Sequence, residues 1–175
     1  MSLRRPVLLA LAMLCCTGWP IVAQAKTATL QKQGRWEAFG GTDDSGTQVC
    51  GVINTEEADR VFAIKRYAGS RELTVQVLRN TWRISDQRVA TNIRFDSYPP
   101  WEAEALPAPP DGLRLRIPEE LAESFMREFA SSQVLRISFP AGDQTWELPL
   151  AGSPAISRTM MECSRKLDGA PATRR

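Results

Sequence analysis

The stretch that decides the fold is QVLRISFPAGDQTWELPLAGSPAISRTMMEC, residues 133–163. Apolar and polar residues alternate over 134–139 and again over 145–150, which is the period of a strand with one face in the core. The sequence PAGD at 140–143 predicts a tight turn, so the two strands form a hairpin. Ser-Pro at 153–154 then opens a helix, with the serine as N-cap and the proline in the first turn.

That helix carries a cysteine on its predicted buried face. Ile156, Met160, Cys163 and Leu167 follow one another at spacings of four, three and four, which is the repeat of one side of a helix. A bond made by Cys163 would therefore be an internal link between this helix and the sheet.

The N-terminal segment 1–25 has the layout of a secretory signal. Two arginines precede an apolar run over 7–16, and Ala-Gln-Ala at 23–25 supplies the small residues that signal peptidase requires. An uncleaved anchor is the alternative, but Gly18 and Pro20 interrupt the run, and a membrane helix needs about 20 apolar residues. We predict an exported protein, periplasmic or secreted, with no integral membrane span after cleavage.

The mature chain has the size of one domain. The full sequence has 175 residues, and removal of the signal leaves 150. We predict a flexible lead-in over 26–34, a single β-rich domain over 35–168 and a flexible tail over 169–175. Loss of the two signal arginines turns the formal charge of +2 into a balance of 20 basic and 20 acidic residues. This balance argues against nucleic acid or an anionic membrane surface as the main partner.

Signal cleavage also reduces four cysteines to two, Cys50 and Cys163. In an exported protein such a pair predicts one disulfide. The two are 113 positions apart, and the chain-entropy model assigns so long a loop a stabilisation of roughly 4 to 5 kcal/mol. A redox-active pair is the alternative, which the absence of Cys-x-x-Cys spacing disfavours.

Period-two patterns recur along the chain, most clearly at 73–77, while five prolines between 97 and 112 argue against any strand pairing there. We predict strands at 35–39, 47–54, 60–67, 73–77, 89–95, 113–117, 134–139 and 145–150, a turn at 40–46, and helices at 119–130 and 153–167. The predicted fold is mainly β, with α+β as the alternative: an antiparallel β-sandwich or open barrel of about eight strands with two short helices.

Several catalytic residues and motifs are missing from the sequence, and their absence excludes whole classes of enzyme. The chain has no histidine, which excludes Ser-His-Asp and Cys-His catalysis, and the usual hydrolase and nucleotide motifs are missing. No cofactor and no metal are predicted. Glu102 and Glu104 beside Trp101 leave carboxylate-only glycan hydrolysis as the one catalytic option, and a proline-rich loop is a poor support for it.

Two sets of residues are candidates for binding a partner. Tyr98 and Trp101 lie in a proline-stiffened segment, where aromatic side chains either anchor a partner or fold over the sheet. Arg114 and Arg116 lie on the outward side of one predicted strand. They could join other arginines in a basic patch for an acidic partner or an anionic glycan, although a solvated face is the simpler interpretation; the full set is Arg66, Arg79, Arg94, Arg114, Arg116 and Arg136.

The layout of the mature chain resembles a known group of proteins. An early Trp36 precedes a glycine pair and the strand of Cys50, and the ending WELPLAGS at 146–153 leads into the helix of Cys163. In this the chain resembles uncharacterised exported proteins of alphaproteobacteria that look like relatives of the invasion-associated locus B family. The resemblance implies a periplasmic, mostly β protein with one disulfide and no known enzyme activity.

Taken together, these features predict a non-enzymatic interaction or accessory protein. Its expected partner is another periplasmic or envelope protein. Two alternatives remain: an inhibitor of an enzyme such as lysozyme, with the 98–101 segment entering a cleft, and a carboxylate-dependent glycan hydrolase.

Overall fold

A computed structural model describes residues 25–57, 60–82, 88–108, 112–139 and 144–169. Positions 1–24 of the predicted signal at 1–25, the turn at 140–143 and positions 170–175 of the predicted tail lie outside these residues. The described residues form ten strands and two helices: β1 Lys26–Gln33, β2 Trp36–Thr42, β3 Gln48–Glu57, β4 Arg60–Tyr67, β5 Leu73–Arg79, β6 Val89–Phe95, β7 Trp101–Ala108, β8 Gly112–Ile117, α1 Glu119–Ser131, β9 Val134–Phe139, β10 Gln144–Pro149 and α2 Ser153–Leu167.

The strands form one open antiparallel sheet with the order β1-β2-β3-β4-β5-β8-β7-β6-β9-β10. Hairpins join most neighbours in this order, while α1 lies in the connection between β8 and β9. A mainly antiparallel β fold with two helices is therefore confirmed. The sheet is open and not a closed barrel, and β1 and β7 are the strands that the sequence did not predict.

The predicted flexible lead-in is wrong, because its residues form β1. The strand pairs with β2 from Lys26 opposite Thr42 to Gln33 opposite Trp36. Its side chains are exposed, apart from a half-buried Gln31. A strand that buries neither face has no apolar alternation, so the pattern that identifies strands was missing here.

The prediction that no strand pairing passes through 97–112 is also wrong. β7 pairs with β6 from Trp101 to Ala105 and with β8 from Leu106 to Ala108. Four of the five prolines lie outside this strand. The fifth, Pro107, lies past the last residue paired with β6, and its strand neighbour among the described residues is Leu113 of β8. Proline is tolerated in a strand where the ladder does not need its amide.

The predicted turn at 40–46 begins too early, since β2 continues to Thr42. The turn itself is held by Asp43, whose Oδ1 accepts hydrogen bonds from the amides of Ser45 and Thr47 at 2.9 Å each. Gly41, at φ 148°, has a backbone conformation that favours glycine, and a Cβ there would lie 2.1 Å from the carbonyl oxygen of Lys26. Glycine at this position thus permits close pairing with β1 and does not mark a turn.

Both helices cover the same face of the sheet, which we call the inner face. Phe125 and Phe129 of α1 contact Phe95 of β6, with Phe125 at 5.1 Å between ring centroids and Phe129 at 6.4 Å. Ile156, Met160 and Leu167 of α2 are buried, which confirms the predicted apolar side of that helix. The opposite side of the sheet, the outer face, carries neither helix of the described chain.

Trp36 joins the two ends of the fold. Its fully buried ring meets Phe62 and Phe129 edge to face, at centroid distances of 5.9 and 5.0 Å. Its Nε1 donates a hydrogen bond of 2.9 Å to the carbonyl oxygen of Pro149, at the end of β10. This bond spans 113 positions and brings the last strand back to the second.

Ser153 has a different role from the predicted one. The N-cap of α2 is Gly152, at φ 95°, and Ser153 is the first residue of the helix. Its buried Oγ donates a 2.9 Å hydrogen bond to the carbonyl oxygen of Phe129. The serine therefore links the start of α2 to the last turn of α1.

Replacement of Trp36 by Phe is expected to destabilise the fold more than the same change at Trp146. Both indoles are buried, but the buried Nε1 of Trp146 has no hydrogen-bond partner among the described residues. Trp36→Phe leaves the Pro149 carbonyl unpaired, so it should cost about 1–2 kcal/mol more than Trp146→Phe in free energy of unfolding. Urea unfolding of the two variants checks this, and equal losses would contradict the role given to the Trp36–Pro149 bond.

Candidate functional site

The predicted disulfide is present between Cys50 and Cys163, whose Cα atoms are 5.9 Å apart. It ties β3 to α2. Cys50 is buried, with 1% exposure, whereas Cys163 is half-buried. A Cβ at Gly40 would lie 2.8 Å from Sγ of Cys163, so glycine at this position makes room for the bond. The bond is compatible with an exported protein.

A groove of about 460 Å³ lies over the disulfide, between α2 and the β2–β3 end of the sheet. Both cysteines line it, and Leu30 of β1, which is 48% exposed, stands beside them. The rest of the lining consists of Gly40, Gly41, Thr42, Gln48, Val49, Thr159, Glu162, Lys166 and Leu167. The sequence did not indicate this groove, because it depends on how α2 crosses the sheet.

Tyr98 and Trp101 are separated by the structure into different environments. Trp101 begins β7, and its ring meets that of Phe125 edge to face at 5.3 Å. Its Nε1 donates a 2.7 Å hydrogen bond to Oε2 of Glu128. Tyr98 is 42% exposed. Of the two, Trp101 therefore attaches the sheet to α1, and Tyr98 alone projects a substantial aromatic surface to solvent.

Arg114 and Arg116 both lie exposed on the outer face of β8. Their strand neighbours on β5 are Gln76 and Thr74. Neither arginine forms an ion pair with any residue in the part of the chain that the structure describes. Because β8 is flanked by five strands on one side and four on the other, the two charges stand near the middle of the sheet.

Three of the six arginines considered for a basic patch lie apart from the pair on β8 through burial, orientation or ion pairing. Arg66 is buried, at 9% exposure, and makes an ion pair with Asp168, so its predicted outward position is wrong. Arg79 alternates with the inward-facing Val77 and therefore also lies on the inner face. Arg136 pairs with Glu147 at 2.6 Å. Burial and ion pairing thus separate these residues from the pair on β8.

Lys65 adds a third cation on the outer face beside this pair. It lies opposite Thr74 in the β4–β5 register, and its Nζ donates a 2.7 Å hydrogen bond to Oε1 of Gln76. Burial lowers the pKa of its amino group below the ordinary value, and the charges of Asp43 and Asp44 oppose that lowering. Lys65 is thus held within the sheet surface, whereas the two arginines extend from it.

The two candidate catalytic carboxylates lie on a strand, and not on the loop that the sequence predicted. Glu102 and Glu104 are exposed at alternate positions on the outer face of β7. They border a depression of about 390 Å³ together with Asn92 of β6. Glu104 forms a 2.8 Å ion pair with Arg88. The carboxylates stand side by side on one strand, whereas glycosidases place theirs on opposite sides of a scissile bond.

An aromatic cluster that the sequence did not indicate lies near the start of β10. The ring of Trp82 stacks on that of Trp146 at 5.3 Å, and Phe139 meets both rings edge to face. Arg60 lies over Trp146 with its guanidinium carbon 5.3 Å from the ring centroid. Phe139 and Trp146 are buried, so the cluster extends the core.

The described parts of the chain contain no group of three His, Cys, Asp or Glu side chains that could hold a metal ion. Neither α1 nor α2 is long and apolar enough to cross a bilayer.

The comparisons with known proteins give no relative: no family model matches the chain, and no curated protein or solved structure is similar to it. The resemblance to the invasion-associated locus B family stays a prediction. The functional inference therefore depends on the geometry.

Truncation of Trp101 should destabilise the protein, whereas truncation of Tyr98 should not. Trp101→Ala removes the contact with Phe125 and the hydrogen bond to Glu128, an expected loss of about 1–3 kcal/mol in free energy of unfolding. Tyr98→Ala removes an exposed ring and should change stability by less than about 0.5 kcal/mol. Chemical denaturation of both variants measures this; a stable Trp101→Ala protein would mean that the ring is free to bind a partner.

Proposed function

We propose that this is an exported, non-enzymatic interaction protein that binds an acidic surface of another periplasmic or envelope protein through the outer face of β8. The observation that carries the proposal is the pair Arg114 and Arg116, exposed on one side of a central strand and without an ion pair among the described residues. The disulfide supports the exported location.

The architecture of the sheet supports this choice of surface. Both helices pack on the inner face, where they bury the aromatic core, and the outer face of β8 is left without a helix. A wide sheet side that carries neither helix of the described chain suits a protein partner more than a small ligand, which requires a concave site.

The charges indicate what the partner presents. Guanidinium groups bind carboxylates through paired hydrogen bonds, and arginine is enriched in the cores of protein interfaces. Lys65 lies two strands away from Arg116 on the same face, with Thr74 between them in the register. Three cations on one face of the sheet, on β4 and β8 with β5 between them, favour a partner with clustered Asp or Glu side chains.

Two alternatives have less support. Trp101 is held against α1 and cannot enter the cleft of an enzyme such as lysozyme without breaking its contacts, so an inhibitor would have to act through Tyr98. A glycan hydrolase built on Glu102 and Glu104 lacks carboxylates facing each other across a substrate. Hydrolysis of peptidoglycan that is lost in Glu102→Gln or Glu104→Gln would revive that alternative.

Reversal of the two charges should abolish partner binding. A photo-crosslinking residue at Thr74, next to Arg116, is expected to capture one acidic envelope protein in cells that export this protein. In the Arg114→Glu and Arg116→Glu double variant the yield of that adduct should fall at least about tenfold, because like charges across an interface are strongly unfavourable.

The matched control reverses two exposed arginines of α2, Arg158→Glu and Arg165→Glu, which changes the net charge equally at another surface. This variant should retain the adduct. A yield that is the same in both double variants, or an adduct that forms without regard to Arg114 and Arg116, would contradict the proposed surface.

A further inference from the structure

The disulfide differs from a simple core staple in one respect: both of its cysteines line a groove, and one of them is only half-buried. Cys50 is 1% exposed, beneath α2, whereas Cys163 is half-buried, and both line the groove of about 460 Å³. A reagent in the groove therefore meets a disulfide whose two cysteine residues differ in exposure.

Sγ of Cys163 packs closely against Gly40, on the side of the sulfur that faces β2. Gly40 has no side chain, and the position that its Cβ would take lies 2.8 Å from Sγ of Cys163 and 3.2 Å from Cδ1 of Leu30. Leu30 lies near the same point and lines the groove, and it belongs to the exposed edge strand β1 with 48% of its surface in solvent. Truncation of this side chain would therefore widen the groove beside the disulfide.

The charges at the rim act on an approaching anion. Lys166 lies one helical turn after Cys163 and lines the groove, so its ammonium group attracts a thiolate. Glu162 lines the groove as well and opposes that attraction. Arg165 is exposed on the same turn of α2 but does not line the groove.

From these observations we propose that the groove is a thiol-exchange site, in which a thiol of a small molecule or of a cysteine-bearing peptide reacts at Sγ of Cys163. The incoming thiolate attacks Sγ of Cys163 and forms a mixed disulfide, while the bond between the cysteines breaks and Cys50 leaves as a thiolate that takes a proton from water.

A second thiolate completes the exchange. It attacks the outer sulfur of the mixed disulfide, which forms a disulfide between the two reagent molecules and releases Cys163 as a thiolate. Two thiols are oxidised and the protein disulfide is reduced by two electrons. The reverse sequence, starting from a reagent disulfide, introduces the Cys50–Cys163 bond.

The test uses reduced glutathione on the oxidised protein under native conditions. Mixed disulfides are trapped by alkylation and mapped by peptide mass spectrometry, and the rate of thiol release is followed at several glutathione and low urea concentrations. We expect glutathione on Cys163, and a rate proportional to glutathione that does not depend on urea. Glutathione on Cys50, or a rate that rises with urea as steeply as global unfolding does, would overturn the proposal.

Two matched pairs of variants separate access through the groove from loosening of the fold. Leu30→Ala should raise the exchange rate by about three- to tenfold, because the exposure of a cysteine controls its reactivity. Leu121→Ala should not raise the rate; it removes a similarly exposed leucine (43%) from α1, away from the groove. Lys166→Glu should slow anionic glutathione and accelerate cationic cysteamine, whereas Arg165→Glu should have a smaller effect on both. Equal effects within either pair would overturn the groove as the route.

A second experiment compares a peptide thiol with a small thiol as the attacking reagent. A cysteine-bearing extended peptide that exchanges faster than glutathione, and whose advantage is lost in Lys166→Glu, would show that the groove takes a polypeptide thiol. Equal rates would show that it takes small thiols, which is the same site with a different donor.

Discussion

The bond between Cys50 and Cys163 is the constraint on which the rest of the structure depends. An open sheet with one apolar face is stable in water only when that face is covered. Here the last helix of the described chain supplies part of the cover, and it comes from a position 113 residues after the strand that it covers. The disulfide keeps α2 against β3 regardless of that separation, because it shortens the loop that the unfolded chain would have to close.

The position of α2 then determines how the other elements close the fold. Ser153 at its start holds the last turn of α1 through the Phe129 carbonyl, and Phe129 packs against Trp36. Trp36 in turn binds the end of β10 through Pro149. These three contacts form a closed chain from the second strand through both helices to the last strand. They cover the inner face completely enough that Trp36, Phe95 and Phe129 have no solvent exposure.

The sequence predicted the elements that bury one side, because apolar alternation and helical repeats record burial directly. The sequence-based prediction failed for strands that lack a clear apolar alternation. β1 buries almost nothing, and β7 has only glutamates and alanines over 102–105, with prolines near both ends. The candidate site was predicted in part for a similar reason. In an exported protein, a pair of cysteines is enough to predict a disulfide. The burial of Arg66 and the attachment of Trp101 to Glu128 depend instead on contacts between residues that are 102 and 27 positions apart in the sequence.

The same arrangement assigns different roles to the two sides of the sheet. The inner side holds the aromatic core and the helices, and the outer side presents Arg114 and Arg116 on a rigid strand. The groove over the disulfide lies where α2 meets the β2–β3 end of the sheet. Hydrogen exchange followed by mass spectrometry, with the disulfide intact and then reduced, tests this dependence most directly. Reduction is predicted to lower amide protection first in α2, β2 and β3, while β6 and β9 keep theirs; unchanged protection in α2, or an equal loss over the whole sheet, would contradict it.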